Sequence, residues 1–300
     1  MKNMLSGEIK DTIGKSQNPS KTVENEWFII GESVIGKSHI QSDRPCQDSH
    51  HYEKIGNKWG IAIISDGAGS AKNSHIGSAY VAKEAIPEKF KKMVIEQGWH
   101  ISDTLPSQDD WNHLAQNTLK EVRISLDAYA EQEKKEIRSL GCTVIVVIFS
   151  PNGFLVTHIG DGRAGYRNMK NEWKPMLTPW KGEEANETVF ITSAIWKKPD
   201  DYIESLVIRE KASAFTLMSD GCEKHSFECS KFDNVKDKWS DPNEPYPKFF
   251  EPVLKTLKSM KENKMPVVEI SEKWKIFLEK GNKGLTNEPD DKTMIIGLLI

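Results

Sequence analysis

Hydrophobic and polar positions change their rhythm at residue 26. Residues 1–25 are polar and aperiodic, too poor in apolar surface to fix a conformation, so a disordered or loosely attached tail is expected there. WFIIGESVIG, from Trp27, is aromatic and β-branched and suits a first strand. The polar run SHIQSDRPCQDSHHY reads as a loop, and KWGIAIIS (58–65) as a strand buried on both faces. Ile76, Ala79, Ala82, Ile86, Phe90 and Val94 then recur at three- and four-residue steps. That is the stripe of a helix capped by Ser74 and kinked or split at Pro87. A second helix follows Ser107, with Asp109 and Asp110 in the first turn, where the dipole favours acids. Leu114, Ala115, Leu119, Val122, Leu126 and Tyr129 form its apolar side.

CTVIVVIFS, FLVTHIG and AGYR read as a β-meander turning at PNG and GDGR. After an irregular stretch, ESLVIRE and AFTLMSD are strand-like. Residues 223–287 turn helical again. Phe250, Val253, Leu254, Leu257 and Met260 fit one helix; Ile270, Trp274, Phe277 and Leu278 fit another. TMIIGLLI closes the chain as a buried strand. Strands and helices are grouped rather than alternating, so the class is α+β, and the hairpin-like turns imply mainly antiparallel sheets.

Composition narrows the class of partner. The 300 residues suffice for one large domain, and 37% hydrophobic with 28% charged residues is ordinary for a soluble protein. A net charge of -3 offers no basic excess for nucleic acid or an anionic membrane surface. No apolar run approaches the ~18 residues that span a bilayer, and the first twenty residues lack the apolar centre of a secretory signal. Cys46, Cys142, Cys222 and Cys229 show no metal-ligand spacing, and such sparse cysteines point to a reducing cytoplasm.

The candidate chemistry lies where apolar strands end. Asp66 follows IAIIS, Asp161 follows FLVTHIG, Asp220 follows FTLMS, and Asp290 precedes TMIIGLLI. Bunched carboxylates repel and raise one another's pKa unless a cation neutralises them. A site for hard divalent cations is the economical explanation, and Gly67, Gly162 and Gly221 let the backbone turn there. Asp-Gly is also good turn chemistry, but turns do not require buried strands to end repeatedly in acids.

CQDSH, AIISDGAGS, THIGDGRAGYR, LMSDGCEK and DDKTMIIG follow the order and rough spacing of the motifs of PP2C-type (PPM) metal-dependent protein phosphatases. The chain resembles that family from about Trp27 to Ile300, and its loops are similar to the stand-alone bacterial branch. The resemblance implies an α-β-β-α sandwich over 26–300, with 223–287 as a helical insertion beside the cleft that recognises substrate or partner. It implies that Asp66 bridges two Mn²⁺ or Mg²⁺ ions and that the Gly67 carbonyl binds one of them. Asp220 and Asp290 would hold the other, Asp48 would act through a metal-bound water, and Asp161 would share a weaker third ion with Asp220. A metal-bridging hydroxide would hydrolyse phosphoserine and phosphothreonine in a phosphoprotein, the target of a serine/threonine kinase or the kinase itself. No cysteine nucleophile is needed.

Three positions depart from the pattern. The family's phosphate-gripping Arg falls at Asp43, leaving Arg44 one step late, with His39 and Lys37 as other cations. Gln47 replaces a Glu. Ala68 replaces the His proposed as general acid in eukaryotic members, which makes His75 and His39 candidates. These departures keep open a pseudophosphatase that only binds, and a different two-metal phosphoesterase is the other alternative. Arg163 is expected to pair with a nearby carboxylate.

Overall fold

The computed structural model describes residues 26–182, 188–233 and 237–300. The expected N-terminal tail and most of the acidic loop GEEANET lie outside the described residues. Two five-stranded antiparallel sheets pack face to face. The first has the order β1 (Trp27–Val34), β10 (Lys292–Leu299), β9 (Ala212–Met218), β6 (Arg163–Asn168), β7 (Trp173–Pro175). The second has the order β2 (Ser49–Ile55), β3 (Trp59–Ser65), β4 (Val144–Ser150), β5 (Gly153–Ile159), β8 (Glu204–Ile208). Helices α2 (Ser74–Tyr80), α3 (Ile86–Glu96) and α4 (Gln108–Gln132) cover the second sheet. Helices α6 (Pro247–Glu262) and α7 (Val267–Lys280) cover the first. The expected α+β sandwich is therefore present, with a short helix α1 (Lys37–Gln41) after β1 and a second short helix α5 (Asp220–Ser226) after β9.

Strand β4 shows how period-two alternation builds two cores at once. Val144, Val146 and Ile148 pack under α2–α4, while Ile145, Val147 and Phe149 face the other sheet. Phe149 stacks on Phe215 of β9 with ring centroids 5.2 Å apart, tying sheet to sheet. Truncating such a ring to alanine costs about 3–5 kcal/mol. Ser107 caps α4 by accepting from the Asp110 amide, and the α4 stripe extends one turn earlier than expected, to buried Trp111. A π-helical turn, Val81–Ala85, joins α2 to α3 just before Pro87. The wider turn absorbs the missing proline donor, so the rod is split as expected.

Three expectations change. The stretch 223–287 is not chiefly an insertion beside a cleft. Phe250, Leu254, Leu257, Ile270, Trp274 and Leu278 are buried against the first sheet, so α6 and α7 are one of the four layers. Short strands between α5 and α6 are added to these layers. GDGR is not a hairpin turn: β5 pairs with β4 and β8, whereas β6 pairs with β7 and β9 of the opposite sheet. The chain changes sheets at Asp161. Finally, SHHYEKI, read in part as loop, forms β2; as an edge strand it carries polar side chains and no continuous apolar run. Among the described residues no helix is long and apolar enough to cross a membrane.

Candidate active site

Asp66 is delivered by β3 and locked by Thr143 at the start of the neighbouring strand. The Ser65 hydroxyl donates to the Thr143 carbonyl (2.7 Å), the Asp66 amide to Thr143 Oγ1 (3.0 Å), and the Thr143 amide to the Asp66 carbonyl (2.8 Å). The Gly67 amide donates to the Gln47 carbonyl at 3.2 Å. A Cβ at Gly67 would sit 2.6 Å from that same oxygen, so only glycine lets the two loops approach. Asp220 opens α5, and its neighbour Gly221 runs against the Asp291 carbonyl, 2.0 Å from where a Cβ would fall. Asp161 lies in the crossover and Asp290 just ahead of β10. Strand ends from both sheets thus bring their acids to one end of the sandwich.

The electrostatics record that convergence. Burial raises the Asp66 carboxyl well above the usual carboxylate range, and Asp48, Asp220, Asp290 and Asp161 raise it further. Asp220 is pushed to about 8 by burial, then by Asp290, Asp161 and Asp48. Asp48 is pushed to about 7 by burial and by Asp291, against the pull of its hydrogen bonds. Its Oδ2 accepts from the hydroxyls of Ser219 and Thr293, both at 2.7 Å. Burial also raises Asp161, opposed by hydrogen bonds from its own backbone and from Thr188.

The neighbouring residues sort differently from the expectation. His39 is taken up by a carboxylate. It is buried in α1, with Nδ1 2.9 Å from Asp291 Oδ1. That carboxylate also accepts from the Gly36 amide (2.6 Å) and, through Oδ2, from the Gln47 amide (2.5 Å). Asp291 therefore ties the end of β1, α1 and the Gln47–Asp48 loop to β10, and His39 positions rather than reacts. Lys37 reaches Asn287 at 3.2 Å instead of the aspartates. His75 stands beside Lys135 in the first turn of α2, its pKa lowered by burial. Arg44 is exposed, follows Asp43 in left-handed backbone (φ 54°), and donates from Nη1 to the Gly69 carbonyl at 3.2 Å. It is thereby held beside the loop that carries Asp66 and Gly67. All four cysteines are free, and burial raises the thiol of Cys142 to about 12 and that of Cys222 well above its ordinary range, so neither is a nucleophile.

The acids fit divalent cations. Asp220 Oδ1 is buried without a hydrogen-bond partner among the described residues, an orphan acceptor in a field already too negative. Among the described residues no three acidic, histidine or cysteine side chains close into a cage unaided. Bare carboxylates repel, and ions such as Mg²⁺ keep several waters while taking only one or two carboxylates. An open, water-rich site is what these aspartates suit.

Arg163 pairs with carboxylates, as expected. Buried to 1% exposure, it reaches Glu223 through Nε (2.8 Å) and Asp241 through Nη2 (2.7 Å), and Nη1 meets Asn243 at 2.6 Å. Sequence reasoning missed the hydroxyls of Ser219 and Thr293 and the bracket formed by Asp291. Their signal was confined to the flanks of two Asp motifs.

A model of the family described as Protein phosphatase 2C matches residues 35–268. Serine/threonine-protein phosphatase 3 of Escherichia coli (strain K12) is 28% identical over 278 residues, covering 91% of this chain and 98% of that protein. A bacterial serine phosphatase structure superposes with a TM-score of 0.51 at 15% identity, covering 92% of this chain and 98% of that one. Serine/threonine phosphatase Stp1 from Staphylococcus aureus gives a TM-score of 0.51 at 14% identity, covering 92% and 95%. Those two structures share the fold. With most of its length matched by the family, the chain belongs to the protein phosphatase 2C family of metal-dependent serine/threonine phosphatases.

Proposed function

We propose that Asp66, Asp220 and Asp290, with the Gly67 carbonyl, hold two Mn²⁺ or Mg²⁺ ions, the cofactors of this family, and that Asp161 with Asp220 holds a weaker third. The observation that carries this assignment is Asp66, a buried carboxylate raised by its burial and by four other aspartates. An acid retained in that field needs a cation. When bound, paired divalent cations supply an acidified water and neutralise phosphoryl charge. The chain's own residues do the positioning. Asp48, gripped by Ser219 and Thr293, presents one fixed oxygen to water at the floor of the site. Arg44, tethered to Gly69, keeps further guanidinium donors for the phosphoryl oxygens at the rim. With Ala68 offering no proton, water at the site protonates the departing seryl or threonyl oxygen.

Residues 26–300 act as one phosphatase domain. Its substrate is the phosphoprotein product of a serine/threonine kinase, or that kinase, and its part is in signalling. Four free cysteines favour a reducing compartment, the cytoplasm. The test is turnover of p-nitrophenyl phosphate and of a phosphothreonine peptide with Mn²⁺. Both activities should vanish in EDTA and return with excess Mn²⁺; EDTA-resistant turnover would overturn the assignment.

A further inference from the structure

We propose that a cavity at the outer edge of the second sheet binds an organic cation, an ammonium or guanidinium group. The cavity has a volume of about 530 Å³ and lies where β8 meets the start of α4. Its chemistry is one-sided. Asp200, Asp201 and Glu204 line it, and among the described residues no lysine or arginine does. Glu204 is held in place by the Thr178 amide, which donates to Oε2 at 2.6 Å. Asp200 Oδ1 accepts from Gln116 at 2.7 Å.

A second, independent observation points to a ligand. His158, 2% exposed, lines the same cavity, and its Nδ1 has no hydrogen-bond partner among the described residues. Its cross-strand neighbour is Glu204, whose Oε2 lies 3.7 Å away, too far for a hydrogen bond. A buried nitrogen left so is costly, and a ligand that pairs with it relieves that cost. Burial holds this imidazole down to about 4, opposed by the Thr178 backbone, so near neutral pH the ring adds no positive charge to the cavity. Trp180 and Tyr202 supply two aromatic rings, with centroids 6.1 Å apart and planes at 37°. Aromatic faces attract cations, most strongly where water is excluded. Carboxylates and π faces accept N–H donors and positive charge, and neither suits an anion; the two rings favour a polyatomic cation over a bare ion.

Such a group could come from a lysine or arginine of the substrate protein or from a free polyamine. The binding test does not depend on the phosphatase assignment. Excess Mn²⁺ occupies the aspartates at the catalytic end, and the full chain is titrated calorimetrically with methylguanidinium and with spermidine against potassium chloride. One saturable site is expected for at least one probe. The double variant Asp201→Asn/Glu204→Gln should weaken it at least tenfold, and Tyr202→Leu at least threefold. Asp201 is exposed and the glutamine keeps the acceptor for Thr178, so both variants should fold, as circular dichroism would verify; Tyr202→Leu carries the test alone if the double variant does not. A substrate source would appear as a lower KM for an arginine-flanked phosphothreonine peptide than for its alanine counterpart, a difference abolished in the double variant. A free source would appear as tight spermidine binding with equal peptide KM values. No saturable binding of either probe, or binding unchanged in both variants, overturns the proposal.

Discussion

Asp220 and Glu223 share the first turn of α5, three residues apart, yet their clusters treat negative charge in opposite ways. Glu223 joins Asp241 around Arg163. Burial pushes Asp241 up, but bonds from Arg163 and Lys181 outweigh it and hold the carboxyl below its usual range. Asp220 joins Asp48, Asp66, Asp161 and Asp290, and there burial and repulsion act together upward. Where the fold supplies its own cation, the acids serve the structure. Where burial and mutual repulsion outweigh the little a side-chain cation supplies, as at Asp161 near Arg163, they await one from solution. The contrast separates the two roles without any appeal to motif.

The sharpest way to break the contrast is to neutralise one acid of the uncompensated cluster. Asp66→Asn removes the charge proposed to join two cations and keeps the shape. Activity should fall by about 10³–10⁴, or roughly 4–5.5 kcal/mol in barrier. Metal-free stability should hold or rise, because the change removes a penalised charge. Turnover assays and thermal unfolding in EDTA would measure both. Retention of a tenth of the activity would refute the role of Asp66, and a large loss of stability would refute the view that its charge is uncompensated.

Arg163→Met is the mirror experiment. It leaves Glu223 and Asp241 facing each other without the guanidinium, and breaking a buried pair from one side costs about 3–4 kcal/mol. Unfolding in urea should show that loss, while calorimetry should show the Mn²⁺ stoichiometry of the folded protein intact. Loss of both tight ions with little change in stability would mean that Arg163 serves the metal cluster instead.

This division was half legible in the sequence. The acids could be read because apolar strands such as KWGIAIIS and FTLMS are unmistakable and end in Asp-Gly. The groups that steer those acids could not. Ser219 and Thr293 bond Asp48 across 171 and 245 residues of chain, and periodicity says nothing of contacts at that range. His39 carried a plausible charge but sits in a five-residue helix whose orientation is set by distant partners, the Asp291 bracket and the Glu288 and Pro289 carbonyls. The stripes of α6 and α7 were readable, yet a stripe does not name the sheet it covers. β2 escaped because edge strands suppress the apolar alternation that identifies a strand.

A gentler probe is pH, which titrates one cluster and spares the other. Asp48 near 7 and Asp220 near 8 hold protons in the metal-free fold that they would release when unfolded. Protonation is favoured in the folded state, so the penalty is absent below the ordinary carboxylate range. It grows as pH rises and is complete above about 8. Metal-free stability should therefore decline from pH 5 to pH 8. Mn²⁺ competes with the same protons, so its affinity should climb about tenfold or more from pH 6 to pH 8. A flat affinity profile across that window would remove Asp220 from the ligand set and Asp48 from the water beside it.

The smallest effect should come from Arg44, which belongs to neither cluster. One guanidinium nitrogen is spent on the Gly69 carbonyl, and the side chain is exposed at the loop that follows Asp66. It makes no ion pair with any of the five aspartates among the described residues, so its removal should leave Mn²⁺ affinity where it was. A solvated arginine that meets the phosphoryl group loses part of its bond strength to water. Arg44→Ala should then raise KM for a phosphothreonine peptide about three- to tenfold, with kcat changed less, since the grip acts on bound substrate before and during the reaction alike. Arg44→Lys should recover only part, because a point charge cannot reproduce the planar fork. An unchanged KM in both variants would return Arg44 to the solvent and leave Gly69 as its only partner.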